Sequence, residues 1–154
     1  VLLAVAIGKY FEVPDEKIKS ALENYVPSNS RSQLIKKGSN KIILDAYNAN
    51  PSSMKAAIEN FAKMSGEDKV LMLGGMMELG PESLQEHQNL VDLINKYKWK
   101  AVVLVGGDFN KSTHSFSFFE NSMQAAAWYK DQHFSNSNIL IKGSRSTAME
   151  KVLE

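Results

Sequence analysis

Apolar residues along this chain fall into two kinds of run, and their alternation predicts the architecture. Helical spacing comes first. Val1–Phe11 carries Leu3, Ile7, Tyr10 and Phe11 at intervals of three and four, and Asp15–Tyr25 carries Ile18, Leu22 and Tyr25. Asp15 after Pro14 is the expected N-cap of the second helix. Two helices cannot bury their own apolar faces, so Val1–Val26 is expected to belong to a neighbouring domain. The turn-forming run Pro27-Ser28-Asn29-Ser30 is expected to be the linker.

Beyond it the pattern changes. Ser32–Lys37 and Lys41–Ala46 read as short strands joined by Gly38-Ser39-Asn40, a hairpin signal. Pro51–Met64 is predicted helical, with Met54, Ala57, Ile58 and Phe61 on one face. Buried strands follow at Val70–Gly74, Ala101–Val105 and Ile139–Lys142, with helices over Glu82–Tyr97, Ser122–Gln132 and Thr147–Leu153 between and after them. Phe116–Phe119 is a candidate minor strand. Continuous apolar strands alternating with amphipathic helices predict an α/β fold. It is a Rossmann-like, mostly parallel sheet with helices on both faces and an antiparallel opening hairpin.

Composition narrows the chemistry. There are no cysteines, which excludes thiol catalysis and cysteine zinc sites. A net charge of +1 offers no polyanion surface, so no nucleic-acid partner is expected. The longest apolar run, Val1–Ile7, is too short to cross a bilayer. A cytoplasmic location without membrane insertion is the expectation. A start at Val, not Met, suggests a piece of a longer protein.

In an open parallel sheet ligands bind outside the carboxyl ends of the strands, so the loops there are the candidate sites. The first is Asp45-Ala46-Tyr47-Asn48-Ala49-Asn50-Pro51. A carboxylate at a strand end can accept from two ribose hydroxyls, a flat ring can lie on a base, and amides can both donate and accept. Asp45 and Asn48 also suit a simple turn, and Asn50 before Pro51 suits a helix cap. The second loop is Leu73–Pro81, where paired glycines allow close backbone approach and Glu78 follows. No Gly-Lys-Ser/Thr follows the glycines, so this is not a phosphate loop. His87 on the next helix points inward, as a core residue or a site residue. The third, Lys142–Thr147, gathers two cations and three hydroxyls in a strand-to-helix turn, fit for an anion. A Thr147/Glu150 capping box is the competing reading.

Taken in order, Arg31, DAYNANPSSM (Asp45–Met54), LGGMMELG (Leu73–Gly80) with His87, and IKGSRSTAME (Ile141–Glu150) resemble the C-terminal domain of the Mur ligases across essentially the whole chain. The YNANP and KGSR wording points to the branch of that family that adds D-alanyl-D-alanine to UDP-N-acetylmuramoyl-tripeptide in peptidoglycan synthesis. The resemblance implies ATP with Mg2+, an acyl phosphate intermediate, and missing N-terminal and central domains that supply the phosphate loop and most metal ligands. Residues 1–27 would be the tail of the central ATPase domain, and residues 28–154 the C-terminal domain. By resemblance Arg31 would reach the ATP phosphates, Asp45 the ribose, and Tyr47, Asn48 and Asn50 the adenine. Glu78, His87 and Lys142 would stand at the catalytic centre, and Lys142, Gly143, Ser144 and Arg145 would line the dipeptide pocket or steady the acyl phosphate. The chain departs from the family at Gly75, where many members carry Asp. A free-standing nucleotide- or dipeptide-binding module is the alternative.

Overall fold

The computed structural model describes residues 1–25 and 30–154, so the predicted linker lies outside the described residues except for Ser30. Two helices open the chain, α1 (Leu2–Tyr10) and α2 (Asp15–Glu23), and neither has a buried residue. They meet where Gly8 faces Ile18, since a β-carbon on Gly8 would lie 2.8 Å from the Ile18 side chain. Asp15 does not cap α2. Pro14 holds that position without a side-chain bond, and Asp15 instead pairs with Lys9 at 3.0 Å on an exposed surface.

The rest forms one six-stranded sheet. Its strands are β1 (Gln33–Lys37), β2 (Asn40–Asp45), β3 (Lys69–Gly74), β4 (Ala101–Val105), β5 (Ser117–Phe119) and β6 (Asn138–Lys142). The spatial order is β1-β2-β6-β3-β4-β5. Only β1 and β2 run antiparallel, joined through Gly38 at φ +61°, a left-handed turn conformation that glycine adopts without a steric penalty. All other pairs are parallel. The last strand to be made, β6, is therefore inserted between β2 and β3.

Alternation along the strands sends side chains to two cores. Leu71, Leu73, Leu104 and Leu140 meet Ile58 and Phe61 of α3 (Pro51–Lys63) and Val91 and Ile94 of α4 (Ser83–Ile94). Val70, Met72, Val103 and Ile141 meet Ala125 and Tyr129 of α5 (Ser122–Asp131), with Met149 and Val152. The connections from β2 and β3 thus run to one face, and that from β6 to the other. Such a reversal opens a crevice at the carboxyl ends of the strands beside β6.

Local signals explain the helix starts. Asn50 caps α3: its side chain accepts from Ser53 N at 2.8 Å, the Ser53 hydroxyl accepts from Asn50 N, and Pro51 occupies the first turn. Asn121 caps α5 in the same way through Gln124 N. The predicted last helix is different. The chain forms two 3-10 turns, Arg145–Thr147 and Met149–Leu153, broken at Ala148, whose φ is +46°. The expected Thr147/Glu150 capping box is absent, because the Thr147 hydroxyl donates back to the Ser144 carbonyl at 2.8 Å. A 3-10 turn, Gly107–Lys111, rather than a helix leads from β4 toward β5.

Ile58 is fully buried against β3 and α4. Ile58→Ala should cost about 2–5 kcal/mol in urea unfolding. Leu34→Ala on the exposed strand face should cost less than about 0.5 kcal/mol. Similar losses for both would contradict the placement of this core.

Candidate functional site

The register of β2 against β6 sets Asp45 directly opposite Lys142 at the carboxyl edge of the sheet. Their side chains form an ion pair at 2.6 Å, with Lys142 almost wholly buried (3% side-chain exposure) and Asp45 one-quarter exposed. Lys142 also donates to the Asn48 carbonyl at 3.1 Å. Asp45 accepts from Ser32 N through its other oxygen. One lysine therefore ties the Asp45–Asn50 loop to the end of β6. The Asp45 carboxylate keeps further lone pairs toward solvent, so a sugar hydroxyl can still be accepted there.

The second and third loops meet where glycines allow close approach. Ser144 N donates to the Gly75 carbonyl at 3.4 Å. A β-carbon on Gly143 would lie 2.6 Å from the Thr147 hydroxyl and 3.0 Å from Gly74 Cα. One on Gly75 would lie 2.6 Å from Gly107 Cα. This gives a physical reason for the departure noted at Gly75: no side chain fits there unless the backbone moves.

Several of the expected site residues have their side chains bonded within the protein. His87 is fully buried, and both ring nitrogens are committed. Nδ1 lies 2.7 Å from the Ser83 carbonyl and so carries the proton, while Nε2 accepts from Met76 N at 3.1 Å. Phe109 packs edge-on against the ring. In this geometry His87 is a strut that shapes the Gly75–Met76 turn. Lys142, also expected at the catalytic centre and in the dipeptide pocket, is an internal tie. Gly143 and Ser144 are buried beside it. Asn50 spends its side-chain oxygen on capping, and Asn48 folds its own onto Ala49 N.

Other expected residues are open. Glu78 is exposed, with φ +62°, on the rim of a cavity of about 300 Å³ shared with Met77, Ser83, Gly107 and Asp108. Tyr47 is 42% exposed. The Arg31 guanidinium lies over its ring at 3.6 Å, and that of Arg145 stands 5.9 Å from the same centroid. The fourth strand-end loop, Gly106-Gly107-Asp108, was missed by sequence reasoning. Its signal, paired glycines after a buried apolar strand, was the same one that marked Gly74-Gly75. The Lys111 side chain, and then the Ser83 hydroxyl, hold the Asp108 carboxyl below its ordinary value.

Because Lys142 is the more deeply buried partner, the two halves of the ion pair are not equivalent. Asp45→Ala strands an ammonium and should cost on the order of 3 kcal/mol. Lys142→Met leaves a carboxylate that can reach water and should cost less. Equal losses in urea unfolding, or the reverse order, would count against this.

Comparison with known proteins identifies the family of the chain. Residues 30–153 match the family described as Mur ligase, glutamate ligase domain. The chain is 34% identical over 159 residues to the UDP-N-acetylmuramoyl-tripeptide--D-alanyl-D-alanine ligase of Buchnera aphidicola subsp. Acyrthosiphon pisum, covering 99% of this chain and 35% of that protein. It is 32% identical to the ligase of the same name from Rickettsia prowazekii, again spanning 35% of it. The crystal structure of MurF from Acinetobacter baumannii superposes with a TM-score of 0.81 at 30% identity, over 97% of this chain and 35% of that one. The chain thus spans about a third of the length of these relatives. With a family match over residues 30–153 and relatives alignable over nearly its whole length, the chain belongs to the Mur ligase family, in the part described as the glutamate ligase domain.

Proposed function

We propose that this chain is the C-terminal part of an ATP-dependent ligase that joins D-alanyl-D-alanine to UDP-N-acetylmuramoyl-tripeptide in the cytoplasm. The observation that carries the reading is the Asp45–Lys142 tie, which holds the nucleotide-type loop after β2 against the KGSR turn after β6. Relatives bearing that ligase name, and alignable over nearly the whole chain, support the choice of amine. The family match begins at residue 30, which supports reading residues 1–27 as the tail of a central ATPase domain.

In this reading the tripeptide carboxylate attacks the γ-phosphate of ATP, releasing ADP and forming an acyl phosphate. The dipeptide amine then attacks the acyl carbon, and phosphate leaves. The domain's own share is to bind and orient. Asp45 accepts from the ribose, the Tyr47 ring and the free Asn48 and Asn50 amide groups face the adenine, and Arg31 reaches toward the phosphates. Glu78 stands at the rim facing the partner domain. No group of three His, Asp or Glu side chains suited to a metal ion occurs among the described residues. The Mg2+ that accompanies ATP would take its protein ligands mainly from the central domain. Closing the partner domain over this rim would shield the acyl phosphate from water.

In the full-length polypeptide, phosphate release should require ATP, UDP-N-acetylmuramoyl-tripeptide and D-alanyl-D-alanine together. Equal turnover with a single amino acid such as glutamate would overturn the choice of amine. The 154-residue chain by itself should turn over no ATP. Asp45→Asn, which removes the charge but keeps an acceptor, should raise the KM for ATP by roughly tenfold, the equivalent of one charged hydrogen bond. An unchanged KM would remove the ribose assignment.

A further inference from the structure

Of the four residues in the Lys142–Arg145 turn, three are committed internally. Lys142 is bonded to Asp45 and Asn48, Gly143 has no room for a side chain, and the Ser144 hydroxyl is buried against that of Ser146. Arg145 alone is exposed, and its guanidinium makes no hydrogen bond or ion pair among the described residues. Arg31 is in the same condition. The two guanidinium groups nevertheless converge on one ring, at 3.6 and 5.9 Å from the Tyr47 centroid. The quadrupole of the ring attracts each cation, but the cations repel one another. Asp45, two residues away in sequence, is already matched by Lys142. The bracket is thus short of negative charge.

We propose that Arg145 is a ligand of the nucleotide polyphosphate, acting with Arg31 as a two-armed clamp keyed on Tyr47, and is not a dipeptide ligand. This deepens the proposed function and rests on its nucleotide reading. A dipeptide carries a single carboxylate, which one planar guanidinium can satisfy in full. Two such forks that share an aromatic anchor need several anionic oxygens on adjacent centres, and a polyphosphate chain provides them. Arg31 also covers the Tyr47 ring. A guanidinium drawn off to the phosphates uncovers the surface that a base would use. The KGSR turn would then serve the nucleotide from the strand next to the one that holds the ribose.

The test titrates the 154-residue chain, Arg145→Gln and Arg31→Gln with tripolyphosphate, adenosine and D-alanyl-D-alanine, followed by NMR. Both residues are exposed, so the variants should keep the parent spectrum outside the site. Each substitution should weaken tripolyphosphate by about three- to tenfold. Arg145→Gln should leave adenosine and dipeptide binding unchanged. High salt should shrink the tripolyphosphate difference. Equal tripolyphosphate binding by parent and Arg145→Gln, no binding by the parent, or a loss confined to the dipeptide each overturns the assignment. If tripolyphosphate still depends on Arg145 while adenosine leaves Asp45–Asn50 unshifted, the clamp stands and the nucleotide reading falls.

Discussion

A buried ammonium must be matched, and that constraint organises this domain. Lys142 ends the last strand with almost no access to water, and its partner Asp45 lies 97 residues earlier in the chain. The pair forms only when β6 enters between β2 and β3 in the register that sets Asp45 against Lys142. A slip of one residue would turn the β6 side chains to the opposite faces and leave the charge in an apolar core. Register, strand order and the placement of the first loop are thereby coupled at one point. The same contact joins the Asp45–Asn50 loop to the turn that carries Arg145.

Around that point the loops approach through glycine. Gly74 and Gly143 lie back to back under Thr147 and Met149, and Gly75 lies against Gly107. With no side chains between them, the backbones of three successive strand ends pack together. His87 supports the arrangement from below by accepting from Met76 N, and its own ring lies against Gly107. Polar side chains that are not consumed in this packing, such as Glu78, Tyr47, Arg31 and Arg145, are left on the rim. The packing thus divides the strand ends into a rigid floor and free side-chain groups. The opening helices lie apart from this packing. They carry apolar residues such as Leu2, Leu3 and Phe11 that remain exposed, and the family match starts only after them.

Much of the architecture is legible in the order of residues alone, because burial along a strand or helix imposes a period that is local. The apolar runs located β3, β4 and β6 to within a residue, and the 3.6-residue spacing located α3, α4 and α5. Gly38 marked the hairpin, and Asn50-Pro51 marked a capped helix. Tertiary packing decided what those local patterns leave open. It placed the last strand in the middle of the sheet and broke the expected final helix at Ala148, where packing against glycine and a hydroxyl bond outweigh helical spacing. It also sorted residues of like chemistry by their surroundings. Lys142 and His87 became internal supports, while Arg31 and Arg145 met at a ring that neither adjoins in sequence. A side chain's type states what it can bond. Whether those bonds are spent inside the protein or kept for a ligand depends on contacts between segments far apart in the chain, which no local period encodes.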